Sequence, residues 1–438
     1  MKPIQVGLLG IGTVGSGVFS VLQRNQEEIK RRAGRGIDVT MVSRRKLDEA
    51  RRLVGSAAKV VDDPREIVAN PAIDIVVELI GGDGVARELV LEAIRAGKHV
   101  VTANKALLAV HGTEIFAAAR ERGVMVAFEG AVAGGIPIIK ALREGLTANR
   151  IEWVAGIING TTNFILSEMR SKGLDFDTVL KQAQQLGYAE ADPTFDIEGI
   201  DAAHKATIMS AIAFGIPVQY DRAYVEGITK LNATDIRYAE QLGYRIKLLG
   251  ITKRRDDAGG IELRVHPTLV PSTRLIANVE GAMNAVVVHG DAVGTTLYYG
   301  KGAGAEPTAS AVIADLVDIT RLHTADPDHR VPHLAFQPGS LQDTRILPIG
   351  EVITSFYLRL QVADQAGVLA RITGILAEKN ISIDAVLQRE SAEGEAQTDL
   401  IILTHDTVEG RMNEALAQMQ SLPTVLAPIV RIRKEDLS

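Results

Sequence analysis

The run Gly10-Ile11-Gly12-Thr13-Val14-Gly15 follows an apolar stretch, Ile4 to Leu9, and leads into a helical pattern from Val14 towards Lys30. Strand, glycine turn and helix in that order restrict the fold more than any other feature of the chain. Gly10 permits the tight turn, Gly12 lets the backbone approach a pyrophosphate, and Gly15 allows close packing of helix on sheet. Anionic phosphates are then held at the helix N-terminus, where Thr13 and Val14 form the first turn. The alternation continues, with Val39 to Val42, Asp74 to Leu79, His99 to Thr102 and Val124 to Phe128 reading as further strands between helical stretches. This series predicts an α/β fold: a Rossmann-like, doubly wound parallel sheet with helices on both faces. At the end of the second strand, where NAD-binding folds normally offer an acid to the ribose, the chain reads Ser43-Arg44-Arg45-Lys46. Arg44 and Arg45 suit the 2′-phosphate of NADP, at about 1.5 to 3 kcal/mol for each charge-assisted hydrogen bond. NADP is therefore the expected coenzyme, with NAD the alternative.

The 438 residues suffice for about three domains. A hydrophobic fraction of 46% with 23% charged residues is that of an ordinary globular protein. The formal net charge of -6 argues against nucleic acid or an acidic membrane surface as the main partner. The absence of cysteine excludes disulfides, thiolate metal sites and cysteine nucleophiles. No stretch reaches the ~18 apolar residues of a membrane span, and the N-terminus lacks a signal-peptide pattern, so the expected location is cytoplasmic.

Around Gly134-Gly135-Ile136-Pro137 the strand-helix rhythm breaks. The expected organisation is a nucleotide-binding domain over residues 1–130, an α+β domain over 131–325, a linker over 326–350 and a small C-terminal domain over 351–438. The linker is marked by Pro327, Pro332, Pro338 and Pro348. The last domain reads β-α-β-β-α with a closing strand, a ferredoxin-like order.

The segment from Gly187 to Lys205 is rich in charge beside apolar runs. Glu190, Asp192 and Asp196 fall in a loop broken by Pro193, and Asp201 and Lys205 lie four apart on one face of an otherwise apolar helix. In isolation such a pair is usually a surface ion pair. A lysine held in a cleft, however, both donates and accepts protons, since burial lowers its pKa and nearby carboxylates raise it again.

With these residues in view the whole chain resembles the bacterial homoserine dehydrogenases of the long type, which end in an ACT domain. The resemblance runs through Ala183, Gly187, Asp192-Pro193, Asp196, Gly199, Asp201 and Lys205, and through Thr102-Ala103-Asn104-Lys105, Gly134-Gly135-Ile136-Pro137 and Asn159-Gly160-Thr161-Thr162-Asn163. It implies that Lys205 exchanges a proton with the substrate oxygen, that Glu190 and Asp201 bind the amino acid with Asp196 beside them, and that Lys105 lies near the nicotinamide. It further implies that Gly187 and Gly302 approach the cofactor, and that Glu129, Val132, Gly134 and Ile136 hold a monovalent cation such as Na+. The implied reaction interconverts L-homoserine and L-aspartate 4-semialdehyde, in the route to threonine, methionine and isoleucine. The ACT domain implies L-threonine as effector, and the family a homodimer or higher homo-oligomer. Ala366 stands where the family often has proline before the ACT glycine, here Gly367. A hydroxy-acid dehydrogenase with an ACT tail is the competing enzyme reading, but it requires a histidine-acid pair and a different domain order. A sensor that binds NADP and an amino acid requires the same fold without a working proton carrier.

Overall fold

Six short strands carry the β-branched runs of the N-terminal third in the computed structural model, which describes residues 2–44, 46–388 and 396–438. They are β1 (Ile4–Leu9), β2 (Ile37–Ser43), β3 (Lys59–Val61), β4 (Ile75–Glu78), β5 (His99–Thr102) and β6 (Val126–Ala127). All pairings are parallel, in the order β3-β2-β1-β4-β5-β6. Strand order reverses between β1 and β4, so the ligand crevice of such a sheet lies at their carboxyl ends. The glycine turn and the Leu79–Gly81 backbone meet there. The helical stretch after the turn is two helices, Thr13–Arg24 and Gln26–Ala33, separated at Asn25. A distant helix, Ala305–Leu322, completes this domain: its Ala309, Val312 and Leu316 join Val6, Leu8 and Val18 in one core.

The remaining strands are β7 (Ile151–Ile157), β8 (Tyr224–Val225), β9 (Tyr244–Arg255), β10 (Gly260–Pro271), β11 (Met283–Gly290), β12 (Gly294–Lys301), β13 (Ile353–Ala363), β14 (Ile383–Gln388), β15 (Gln397–Thr404), β16 (Thr407–Val408) and β17 (Val430–Lys434). They form one continuous sheet, β12-β11-β7-β9-β10-β17-β13-β15-β14, with β8 beside β10 and β16 beside β13. The C-terminal part, β17-β13-β15-β14 with the helices Val368–Glu378 and Glu409–Gln420, has the ferredoxin-like order read from the sequence.

This C-terminal module is welded to the β12-β11-β7-β9-β10 part of the sheet. β17 pairs in parallel with β10 through Thr268–Arg433 and Leu269–Lys434. Beside the seam, Arg359 Nε lies 2.6 Å from Asp235 Oδ1, which also accepts from Tyr357 OH at 3.1 Å. Arg433, almost fully buried, donates to Glu409 at 2.7 and 2.5 Å and to Glu226 Oε2 at 2.8 Å. The proline-marked segment 326–350 is also packed. Val126 N donates to His333 Nε2 at 3.1 Å, Gln342 N to the Gly215 carbonyl at 2.8 Å and Leu347 N to the Ile261 carbonyl at 2.8 Å. Among the described residues no helix is long and apolar enough to cross a membrane.

Candidate active site

The helix Ile200–Phe214 is apolar on nearly every face and is buried along its length. Asp201 and Lys205, one turn apart, are carried inside with it, and buried charges must be paired. Lys205 Nζ donates to Asp201 Oδ2 at 2.6 Å and to the Ile158 carbonyl at 2.8 Å. Asn159, which caps the helix Gly160–Lys172, donates its Nδ2 to Asp201 Oδ2 at 2.8 Å and to Asp196 Oδ1 at 2.7 Å. From the nucleotide-binding domain, Lys105 Nζ reaches to 3.2 Å from Asp201 Oδ1 and lies 5.7 Å from the Phe195 ring centre. The cluster therefore stands where the two domains meet.

Burial pushes the Lys205 ammonium below its ordinary pKa, Asp201 pulls it back up, and Lys105 adds to the lowering. For Asp201 burial acts upwards, but the Lys205 and Lys105 charges override it and hold the carboxyl far below the usual range. Asp196 is raised by burial and by the charge of Asp201. His204, set between Phe195 and Tyr220 with ring centres 5.4 and 4.3 Å away, is pushed down to about 4 by burial.

Of the residues singled out in the sequence, Lys205, Asp201, Asp196 and Lys105 come together. Glu190 stands apart: it is exposed, and it is its backbone carbonyl that is tied in, accepting from Gln184 Nε2 at 3.1 Å. Gly187, at φ +77°, opens the same loop, which is fixed to the start of the Gly160–Lys172 helix by Thr161 Oγ1 donating to the Tyr188 carbonyl at 2.8 Å. Asn159 joins the cluster although no role for it is apparent from the sequence. Its position before Gly160-Thr161-Thr162 is readable as a helix cap, but its two carboxylate partners lie 37 and 42 residues away.

The glycine turn separates into two kinds of glycine. A Cβ on Gly10 (φ +96°) would lie 2.9 Å from the Leu79 carbonyl oxygen, and one on Gly15 would run into the Gly10 carbonyl. A Cβ on Gly12 meets nothing within 4 Å. Fold geometry thus demands Gly10 and Gly15, whereas Gly12 faces open space at the start of a helix that no side chain caps. Phosphate oxygens fit that space and those N–H groups. Arg44 Nη1 donates to the Ile11 carbonyl at 3.0 Å, and its Nη2 is 2.5 Å from Glu49 Oε2, so a cation sits on the turn itself. Arg45 lies outside the described residues.

At the ends of β4 and β5 a second network, unforeseen in the sequence, sets the start of the Lys105–Arg122 helix. Buried Glu78 accepts from Ile80 N at 2.8 Å, Gly81 N at 3.1 Å and Thr102 Oγ1 at 2.7 Å. Thr102 Oγ1 accepts from Asn104 N at 3.0 Å, and Asn104 Nδ2 donates to the Gly82 carbonyl at 2.6 Å. The loop after β4 is thereby fixed against the residue that precedes Lys105.

The strap Gly300–Gly304 lies on the turn after β6. Gly135 N donates to the Lys301 carbonyl at 2.9 Å, and a Cβ on Gly134 (φ +50°) would stand 2.5 Å from the Gly302 oxygen. The α-carbon of Gly302 covers Asn284, whose buried amide has neither atom partnered among the described residues. Buried Glu129 accepts from Ile139 N at 2.9 Å and Lys140 N at 2.8 Å, and the Ile136 carbonyl accepts from Ile138 N at 2.8 Å. Among the described residues the carbonyls of Val132 and Gly134 accept no hydrogen bond. The described residues contain no group of at least three His, Asp or Glu side chains that could hold a metal.

Comparison with known proteins agrees along the whole chain. The family models described as homoserine dehydrogenase, NAD binding domain, as homoserine dehydrogenase, and as ACT domain match residues 10–129, 137–317 and 356–424. A homoserine dehydrogenase of Pseudomonas aeruginosa is 60% identical over 438 residues, covering 100% of both chains. The crystal structure of a homoserine dehydrogenase from Thiobacillus denitrificans superposes with a TM-score of 0.95 at 67% identity, covering 100% of this chain and 99% of the other. A hyperthermophilic archaeal homoserine dehydrogenase in complex with NADPH matches at a TM-score of 0.63 and 27% identity, covering 74% of this chain and 99% of the other.

Proposed function

The chain belongs to the homoserine dehydrogenase family, and from that premise we propose that Lys205 exchanges the proton when L-homoserine and L-aspartate 4-semialdehyde interconvert with NADP. The observation that carries this reading is the position of the amine. It is buried and bonded to Asp201 Oδ2 and the Ile158 carbonyl, so two of the three N–H bonds of the ammonium are directed and one is left for a substrate oxygen. When bound, the nicotinamide supplies or takes up the hydride at the substrate carbon.

In the reductive direction the Lys205 ammonium gives its proton to the developing alkoxide. In the oxidative direction the neutral amine takes the hydroxyl proton, and burial, which disfavours the charged form, makes the neutral form accessible. Asp201 keeps the amine oriented. Asp201 and Glu190 bind the amino acid through its ammonium and hydroxyl groups, Asp201 from the bridged cluster with Asp196 beside it and Glu190 from its exposed loop. Lys105, tied to Asp201 across the domain boundary, faces the nicotinamide end. The glycine turn with Arg44 at its edge receives the pyrophosphate and 2′-phosphate, and Gly187 and Gly302 approach the rest of the coenzyme. Support for NADP comes from Arg44 on the turn and from the NADPH of the archaeal relative.

The same reading places a monovalent cation, Na+, on Glu129 and the carbonyls of Val132, Gly134 and Ile136, where it pins the turn beneath the Gly300–Gly304 strap. It assigns the reaction to the route towards threonine, methionine and isoleucine, with L-threonine acting through the ACT module on a homodimer or larger homo-oligomer. The direct seam between β17 and β10 supports a regulatory link. Nicotinamide absorbance, followed with L-homoserine and each coenzyme in turn, tests the core of this. Turnover with NADP exceeding that with NAD is expected, and no turnover with either overturns it. Millimolar L-threonine is expected to alter rate or substrate affinity; no change in either removes the effector.

A further inference from the structure

Residues 158 and 159, immediately after β7, hold both members of the reacting pair. The Ile158 carbonyl takes one N–H of Lys205, and the Asn159 side chain takes the oxygen of Asp201 that Lys205 also uses. The orientation of the Asn159 amide is not free. Its Oδ1 is committed to Thr162 N at 2.8 Å and Thr162 Oγ1 at 2.9 Å at the start of the Gly160–Lys172 helix. The NH2 group must therefore face the carboxylates, and its two hydrogens go to different ones, Asp196 Oδ1 at 2.7 Å and Asp201 Oδ2 at 2.8 Å. A flipped amide would set a carbonyl oxygen against two acids and lose the cap. With Asn159 only 5% exposed, water is no substitute for the bridge.

We propose that Asn159 is a positioning residue for the reaction: its amide spans Asp196 and Asp201, holding two like charges together and keeping Asp201 aimed at Lys205. The charged and titratable groups around this amide are Asp196 and Asp201 in direct contact, Lys205 and Lys105 on Asp201, and His204 on the same helix as Asp201 and Lys205. Each N–H of the bridge stabilises an ionised carboxylate. Removing them makes both acids more basic, which strengthens the hold of Asp201 on the Lys205 proton as well.

Two substitutions separate this role from capping. Asn159→Ser retains a side chain that caps helices and loses the bridge, whereas Asn159→Ala loses both. The expected result for Asn159→Ser is a Tm lowered less than in Asn159→Ala, a kcat about ten- to a hundredfold lower, unchanged NADP binding by fluorescence titration, and an acid limb of kcat/KM for homoserine oxidation displaced to higher pH by about half a unit or more. Asn159→Ala is expected to add the loss of the cap, and so a further fall in Tm, to the same catalytic loss. Wild-type kcat with an unshifted profile in Asn159→Ser overturns the proposal, as does a loss of activity that tracks Tm while the profile stays in place. The proposal rests on Lys205 being the proton carrier. Lys205→Ala leaves the bridge intact and reports on that reading alone. Surviving turnover in Lys205→Ala removes both; its loss, with Asn159→Ser unaffected, removes the Asn159 proposal only.

Discussion

Lys105 and Lys205, from different domains, hold opposite oxygens of the Asp201 carboxylate, at 3.2 Å from Oδ1 and 2.6 Å from Oδ2. A single acid thus ties Lys105 of the nucleotide-binding domain to Lys205 of the buried Ile200–Phe214 helix. Because Asp201 and Lys205 are both buried, that pair is not weakened by solvent as a surface ion pair is, whereas the Lys105 side chain is 35% exposed and its hold on Asp201 is partly screened. Any displacement of the nucleotide-binding domain that moves Lys105 changes the field at Lys205.

The glycines of the first turn differ in what they tolerate. Gly12→Ala places its methyl in open space, so Tm is expected to stay near wild type while the Kd for NADP rises about tenfold or more. Gly15→Ala collides with the Gly10 carbonyl and is expected to lose about 1 to 3 kcal/mol of stability. Thermal melts with coenzyme titrations read both; equal loss of stability in the two variants contradicts the assignment of Gly12 to the phosphate.

Arg44 is paired with Glu49 while it rests on the turn. Arg44→Ala is expected to weaken NADP by about tenfold and NAD little. Glu49→Gln, which releases the guanidinium, is expected to tighten NADP. A loss in Arg44→Ala that is the same for both coenzymes shows that the residue serves the turn and not the 2′-phosphate.

The sequence disclosed most where structure is local. β1 and β5 were readable to their end residues, because strands buried on both faces appear as unbroken apolar runs. Three-residue β3 offers too little pattern, and the break at Asn25 is a single residue inside a continuing helical period. Asp201 and Lys205 were legible as one face of an apolar helix, but the reach of Lys105 to Asp201 crosses 96 residues, with no local signal. The same holds for the Glu78 network and for the pairing of β17 with β10, which joins what read as separate domains.

Acid is expected to weaken the fold through buried histidines. Burial pushes His99 and His333 from 6.5 down to about 4, and each accepts a backbone N–H at β6, from Met125 and Val126. Between those pH values the unfolded chain binds protons that the native state refuses, so stability is full above about 6.5 and falls as pH drops towards 4. The expected contribution is roughly 1 to 3 kcal/mol for each histidine. Urea unfolding at pH 7 and pH 5 measures it, and His99→Gln is expected to flatten the dependence. Equal stability of wild type at both pH values contradicts it.

Asp235 anchors the C-terminal module by accepting from Arg359 and Tyr357 with no exposure of its own. Asp235→Ala leaves a largely buried guanidinium without its main partner, a loss of about 3 to 5 kcal/mol. Calorimetry is expected to show a lower Tm, with the module melting ahead of the catalytic domain. An unchanged melting profile shows that the seam does not depend on this contact.

The most direct measurement is the turnover of Lys205→Ala with homoserine and NADP, paired with coenzyme titration. The account predicts a kcat reduced by about a hundred- to ten-thousandfold, with the affinity for NADP retained. A kcat near that of wild type would show that another group moves the proton, and the mechanism built on Lys205 would fall.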